Sequence, residues 1–367
     1  MRRERETSRR EFVKTACAAA AGIAVAPCAA CSSKSPSSGS AADAAEERAP
    51  RSGGGGDDAP KGAAPAPERT VGARVVARAD VELAAADHAE ARDPRARRLV
   101  DEALAGLFDV RDPREALRAL FDPKDVVAIK LNCLAGPGLS STPAVVGGLV
   151  AGLASIGIPN DQIYIFERLS RELERAGFEP NRYSDRRPRV VGNDEAGYDR
   201  ELRFSGEVGS LFTNVLARRA TALVNVPVLK DHDLSGVGAG MKNLYGVIHN
   251  PNRYHDNNCD PYVADVSAHP LVKDKLRLVL LDALVAQYHG GPARVAAHQW
   301  RPGMVMAATD PVALDRVAAE IIDRERAAHG MASLAESKRP PRWIATAAER
   351  GLGKGDLDLI ETEGLDL

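Results

Sequence analysis

Aromatic residues are scarce in this chain and make up only 4% of its 367 residues. Proteins that bind single-stranded nucleic acid stack bases on aromatic side chains, and proteins that bind duplexes carry an excess of basic residues. Here the Lys and Arg residues are balanced by Asp and Glu, which leaves a formal net charge of −2. We therefore expect no nucleic-acid partner, and no attraction to an anionic membrane surface through charge.

Long apolar runs are also missing, and the most apolar segment near the N-terminus, Ala16 to Ala26, is too short to span a membrane. It follows the sequence SRREFVK at residues 8–14, which closely resembles a twin-arginine export signal. Residues 1–31 are therefore interpreted as a signal peptide that directs the protein to the periplasm or cell envelope. An arginine-rich tail on a cytosolic protein is the alternative.

The end of this signal suggests a lipid anchor, because Cys31 follows a run of small residues, as in lipoprotein signals. Cleavage after Ala30 without lipid attachment is the alternative. Residues 32–70 are rich in Ser, Gly, Ala and Pro and cannot bury enough apolar surface to fold. We expect a disordered linker there, a single α/β domain over residues 71–367, and membrane contact only through the anchor.

Cysteines are few, and beyond the signal only Cys133 and Cys259 remain. Two thiolates cannot supply the four ligands of an ordinary iron–sulfur cluster, so none is expected from this chain. In an oxidising compartment two remaining cysteines indicate a disulfide, and we predict that Cys133 and Cys259 form one. Two separate free thiols are the alternative.

Apolar runs alternate with helical patterns along the rest of the chain. Predicted strands include 125–132, 162–167, 276–281 and 304–308, and Asp-Pro or Thr-Pro pairs mark the start of several helices between them. This alternation predicts an α/β fold with a doubly wound, mostly parallel sheet and helices on both faces. The chain has no GxSxG, Walker A or complete GxGxxG motif.

One stretch carries most of the chemical information, NVPVLKDHDLSGVGAGMKNLYGVIHN at residues 225–250. Its apolar part, 222–229, predicts a buried strand, and Ser235 is a plausible N-cap for a helix that follows a polar turn. Ligands of open α/β sheets bind beyond the carboxyl ends of strands, where helix amides favour anions. A small anionic molecule is therefore the expected partner.

This stretch also resembles the signature of the domain of unknown function 362 family. Further matches are VVAIKLNC at 126–133, STP at 141–143, LLDALVAQYHGGP at 280–292 and ATDPVALD at 308–315. The resemblance covers about residues 120–330 and implies an α/β domain. Members of the family often lie beside ferredoxin-like iron–sulfur modules, so an accessory redox role is implied by the resemblance alone.

Polar side chains follow several of the predicted strands, and parallel strands end at the same edge of a sheet. Lysine and histidine are suited to proton transfer near neutral pH, and carboxylates orient them or bind metal. We predict catalytic roles for Lys230, His232 and Asp282, and anion binding by Lys130, Asn132, Lys242 and Asn243. A divalent metal is a further possibility, with His255, Glu167 and His289 as ligands, although their spacing matches no standard zinc pattern.

Two classes of function fit these residues. In the first, the protein is an exported enzyme that acts on a small oxyanionic substrate through lysine and histidine. In the second, it is an anchored protein that binds an anion or a metal without turnover. The identity of the cofactor, if there is one, does not follow from the sequence.

Overall fold

The computed structural model describes residues 72–85, 93–183 and 186–367, which lie in one compact unit. The predicted signal peptide, Cys31 and all of the predicted linker lie outside these residues. Within the described ranges, no helix has both the length and the apolar character that a membrane crossing requires.

The core of the molecule is a large mixed sheet with the strand order β13-β1-β12-β10-β7-β2-β3-β4. Neighbouring strands from β10 to β4 are all parallel, and β12 runs antiparallel to both β1 and β10. The predicted mostly parallel α/β sheet is therefore confirmed. The strands are β1 (Arg74–Ala79), β2 (Val127–Leu131), β3 (Ile163–Glu167), β4 (Arg189–Gly192), β5 (Arg203–Ser205), β6 (Val208–Ser210), β7 (Ala222–Val226), β8 (Val228–His232), β9 (Gly236–Val237), β10 (Leu276–Gln287), β11 (Gln299–Trp300), β12 (Met304–Ala308) and β13 (Glu361–Glu363).

Helices connect the strands, and the longer ones begin where the sequence predicts. Asp93, Asp112, Thr142 and Asp310 each precede a proline and accept a hydrogen bond from an amide in the first helical turn. The helices are α1 (Val81–Ala85), α2 (Pro94–Phe108), α3 (Pro113–Leu120), α4 (Pro143–Ser155), α5 (Ser170–Arg175), α6 (Asn193–Ala196), α7 (Gly240–Asn243), α8 (Tyr262–Ala268), α9 (Pro270–Lys273), α10 (Pro311–Ala328) and α11 (Trp343–Glu349).

Helices cover both faces of the sheet, because alternate residues of each strand point to opposite sides. On one side, called face A, strand residues such as Ile129 pack with the buried residues of α2, α3 and α4. On the other side, called face B, strand residues such as Ala128 pack with α7, α8, α10 and α11. The predicted arrangement of helices on both faces is confirmed.

The predicted disulfide is wrong, because the two cysteines lie on different faces of the sheet. Cys133 is buried in the core of face A, and Cys259 is buried in the core of face B. Both are free thiols. The sheet separates them, and a disulfide requires the two Cβ atoms to lie next to each other.

The predicted helix beginning at Ser235 is also wrong. After β8 the chain reverses over residues 233–235, and Gly236, whose φ of +79° favours glycine, begins β9, which pairs back against β8. The hydroxyl of Ser235 donates to the carbonyl of Val237 instead of capping a helix. A short helix follows only at α7 and continues as a 3₁₀ turn, Leu244–Val247. This reversal places Gly238 against Lys230, where the Gly238 amide donates to the Lys230 carbonyl at 2.8 Å.

Candidate functional site

A cleft of about 580 Å³ lies beyond the carboxyl ends of β2, β3 and β8, on face B. Its position agrees with the rule that open α/β sheets bind ligands beyond the ends of parallel strands. The structure brings eight of the predicted residues together in its lining: Lys130, Asn132, Glu167, Lys230, His232, Lys242, Asn243 and His255.

Lys130 is buried and fully engaged with protein groups. Its ammonium donates to the Glu167 carboxylate at 2.5 Å, to the Leu131 carbonyl at 2.6 Å and to the Asn243 side chain at 3.3 Å. Gly246 leaves room for this lysine, since a Cβ there would stand 2.4 Å from the Lys130 Cε atom. Because these three hydrogen bonds occupy the Lys130 ammonium, Lys130 is less suited to binding a ligand than predicted.

Lys230 is equally buried, but among the described residues its ammonium has one hydrogen-bond partner, the Asn132 Oδ1 atom at 2.8 Å. A row of amides continues behind it. The Asn132 Nδ2 group donates to Asn243 at 3.0 Å, Asn243 donates to Asn225 at 2.7 Å, and Asn225 donates to the Gly240 carbonyl at 2.7 Å. This row fixes Asn132 under the lysine, and Lys230 is buried although it lies near the end of its strand.

Lys242 approaches the cleft from α7. Its Nζ atom lies 3.2 Å from His255 Nε2 and 4.0 Å from the centre of the Tyr245 ring. Burial lowers the pKa of Lys242 to about 8, and burial lowers the pKa of Lys230 to about 8 as well. Among the described residues, no carboxylate oxygen lies within 4.0 Å of either ammonium.

The two histidines of the cleft are neutral. His232 Nδ1 accepts hydrogen bonds from the amides of Leu234 at 3.1 Å and Ser235 at 3.3 Å, which leaves the proton on Nε2. Burial, together with the nearby Lys242, lowers the pKa of His232 to about 2 and that of His255 to about 4. The predicted acid–base role of His232 is therefore limited to donating a hydrogen bond from Nε2.

Asp282 does not line the cleft, so the prediction that it lies beside Lys230 and His232 there is wrong. Its carboxylate faces α4 on face A, where it accepts from the Thr142 amide at 2.7 Å, the Thr142 hydroxyl at 2.9 Å and the Leu284 amide at 3.0 Å. Strand β10 continues to Gln287, so Asp282 lies within the strand and not at its end. Burial raises the pKa of this carboxyl.

The predicted metal ligands do not form a site. Glu167 pairs with Lys130, and His255 contacts Lys242. His289 lies outside the cleft, 3.3 Å from an Arg326 nitrogen and 3.5 Å from an Arg339 nitrogen. In the ranges that the structure describes, no three His, Cys, Asp or Glu residues are grouped to hold a metal ion. Each proposed ligand has a cationic neighbour, which disfavours a bound cation.

Asp315 is a buried carboxylate that was not among the predicted site residues. It is fully buried on α10 and accepts from the amides of Gly240 at 2.5 Å and Met241 at 2.8 Å. Burial raises its pKa to about 8. Asp315 therefore caps the helix that carries Lys242, and the amides predicted to bind an anion are already occupied. Its signal in the sequence is its position on the apolar stripe of α10, three residues after Val312 and three before Ala318.

Other lining residues were also missed. Arg168 and Glu172 follow β3, and burial raises the pKa of the Glu172 carboxyl. Leu134 and Leu234 line the cleft and are about half exposed, at 52% and 45%. These two leucine side chains give the cleft an apolar rim. No sequence motif indicated that they would lie there.

Part of the chain matches a known protein family, and its structure is similar to two solved structures. A family model described as "Domain of unknown function (DUF362)" matches residues 127–320. The structure is similar to the lactate racemase apoprotein from Thermoanaerobacterium thermosaccharolyticum, with a TM-score of 0.40, 15% identity, and coverage of 67% of this chain and 56% of that one. It is also similar to a protein from Thermotoga maritima, with a TM-score of 0.38, 12% identity, and coverage of 62% and 59%.

This chain thus spans somewhat more than half the length of each of these two structures. No curated protein matches it.

Proposed function

This chain belongs to the family described as "Domain of unknown function (DUF362)", and from that premise we propose that it is an enzyme whose cleft binds and transforms a small oxyanionic molecule. Lys242 and Lys230 hold the anion, and Lys230 also exchanges a proton with it. The neutral His232 donates a hydrogen bond from Nε2.

The observation that carries this proposal is the pair of buried ammonium groups without carboxylate partners among the described residues. Transfer of an ammonium from water into a protein interior costs several kcal/mol unless an opposite charge compensates it. Lys130 has such a charge in Glu167 at 2.5 Å, whereas no carboxylate of the described residues lies within 4.0 Å of the Lys230 or Lys242 ammonium. An oxyanion in the cleft would supply the missing charge to both.

Acid–base catalysis is supported by the pKa of Lys230, which burial lowers to about 8. A group with a pKa near the working pH can both release and take up a proton during a reaction. Lysines tuned in this way by burial are common at active sites. Lys242, held between His255 and the Tyr245 ring, is better placed to keep the anion in a fixed position.

We expect Lys242→Met to weaken anion binding by about ten- to a hundredfold, because a charge-assisted hydrogen bond contributes about 1.5–3 kcal/mol. Calorimetric titration with acetate and with inorganic phosphate measures this loss. Lys124→Met is the matched control, since Lys124 is exposed and precedes β2 at the opposite edge of the sheet. Equal affinities in the wild-type protein and Lys242→Met would contradict the proposal.

The pH dependence of binding follows from the same two lysines. Because the free protein has both pKa values at about 8, we expect the affinity for the anion to be highest below that pH and to fall as the lysines lose their protons above it.

A ligand that copurifies and is identified by mass spectrometry separates the two classes of function, an enzyme and a binding protein without turnover. Conversion by the wild-type protein, lost in Lys230→Met, supports an enzyme, and binding without conversion supports a carrier.

We also propose that the protein is exported by the twin-arginine route and anchored through a lipid on Cys31, on the strength of SRREFVK and the small residues before Cys31. Replacing Arg9 and Arg10 by lysine should leave full-length precursor inside the cell, measured by fractionation and immunoblotting. Cys31→Ser should release the exported protein from the membrane fraction. Unchanged export of the double-lysine variant would contradict the route.

A further inference from the structure

A second cavity of about 420 Å³ adjoins the cleft. Arg168, Pro251 and Asn252 line both cavities and form their common wall. We propose that the two cavities are one elongated binding site for a ligand with two anionic groups, and that Arg168 binds the second group. This inference rests on the proposed function, which places the first anionic group at Lys230 and Lys242.

The backbone of Arg168 is fixed on both sides. Its amide donates to the Glu167 carboxylate at 2.7 Å, and its carbonyl accepts from the Asp194 amide at 3.3 Å. The residue follows β3 directly and therefore stands at the same sheet edge as the lysines. A side chain that starts from a fixed backbone between two cavities is well placed to contact one ligand that occupies both.

The charges of the second cavity favour an anion. Arg168 and Arg253 both line it, and among the described residues neither guanidinium has a carboxylate oxygen within 4.0 Å. Asp194 also lines the cavity, but one of its oxygens already accepts from the Ser170 amide at 2.9 Å and the Ser170 hydroxyl at 3.1 Å. Guanidinium groups bind carboxylates and phosphates through paired hydrogen bonds, which suits them to a second oxyanion.

The remaining wall can accommodate the carbon skeleton of such a ligand. Tyr198 and His249 both line the second cavity, and their rings meet edge to face with centres 4.9 Å apart. Aromatic surfaces of this kind pack against apolar parts of ligands. The ligand class is therefore a molecule with an oxyanion at each end, either a dicarboxylate or a carboxylate that carries a phosphate.

The test compares unbranched monocarboxylates with α,ω-dicarboxylates of the same carbon number by calorimetric titration of the full chain. We expect one dicarboxylate length to bind at least about tenfold more tightly than its monocarboxylate, because it gains one charge-assisted contact. Arg168→Gln should reduce the ratio of dicarboxylate affinity to monocarboxylate affinity towards one. Arg253→Gln should reduce it less, because Arg253 is exposed. Arg171→Gln is the matched control, since Arg171 is exposed and lines neither cavity.

The outcomes separate this inference from the proposed function. If dicarboxylates bind no more tightly than monocarboxylates at any length, while Lys230→Met abolishes monocarboxylate binding, the single-anion cleft stands and the elongated site is wrong. A preference for dicarboxylates that persists unchanged in Arg168→Gln also overturns the inference. If neither class binds to the wild-type protein, both proposals fail.

Discussion

Lys230→Met is expected to make the folded protein more stable while it abolishes anion binding. Burial lowers the pKa of Lys230 from 10.5 to about 8, so the folded state holds the proton less tightly than the unfolded chain. This difference corresponds to roughly 3 kcal/mol of lost stability at neutral pH. Methionine has a similar length and carries no charge, so we expect a rise of several degrees in the melting temperature, measured by calorimetry.

The increase in stability expected for Lys230→Met depends on pH, and this dependence tests whether the buried charge is its cause. The destabilising effect of Lys230 is fully present below its folded pKa of about 8 and disappears as pH rises towards 10.5, the value for the unfolded chain. The stability advantage of Lys230→Met should therefore shrink over that range, whereas Lys124→Met should show no such trend. A variant that is less stable than the wild-type protein at neutral pH would identify Lys230 as a structural residue.

Glu167→Gln is expected to have the opposite and larger effect on stability. It leaves the buried ammonium of Lys130 without the carboxylate that lies 2.5 Å away. Breaking a buried ion pair by removal of one partner costs about 3–5 kcal/mol, because the remaining charge is uncompensated. Denaturant unfolding measures the loss. Glu102→Gln is the control, since Glu102 and Arg98 form an exposed pair that contributes no more than about 1 kcal/mol.

A double variant separates the uncompensated charge from lost packing. When Lys130→Met is added to Glu167→Gln, both charges are gone, and most of the lost stability should return. Failure of the double variant to recover stability would mean that Lys130 supports the fold through its other hydrogen bonds, to the Leu131 carbonyl and the Asn243 side chain.

Much of the fold could be predicted from the sequence because its signals are local. The strand Met304–Ala308 is a plain apolar run bounded by polar residues, and its observed limits equal the predicted ones. Helices α2 and α10 begin at Asp-Pro pairs whose aspartates cap them as expected. Strand limits and helix starts of this kind depend on residues that are close together in the sequence. They can therefore be predicted without the tertiary structure.

The site was predicted only in part because its geometry depends on which face of the sheet a residue occupies. Lys230, Lys242 and Asn132 could be grouped from their positions after predicted strands and near α7. Asp282 could not be excluded, since β10 continues past it and turns its carboxylate to face A. The contact of Asp315 with the α7 amides could not be predicted, because only the folded chain brings these groups together.

The row of asparagines behind Lys230 has a direction, and this direction determines how the lysine can act. The row ends at the Gly240 carbonyl, which can only accept a hydrogen bond, so every amide in it must donate away from Lys230. Asn132 therefore presents its oxygen to the lysine whether the amine is charged or neutral. When Lys230 loses a proton, its lone pair points away from that oxygen and is therefore available to accept a proton from a ligand in the cleft.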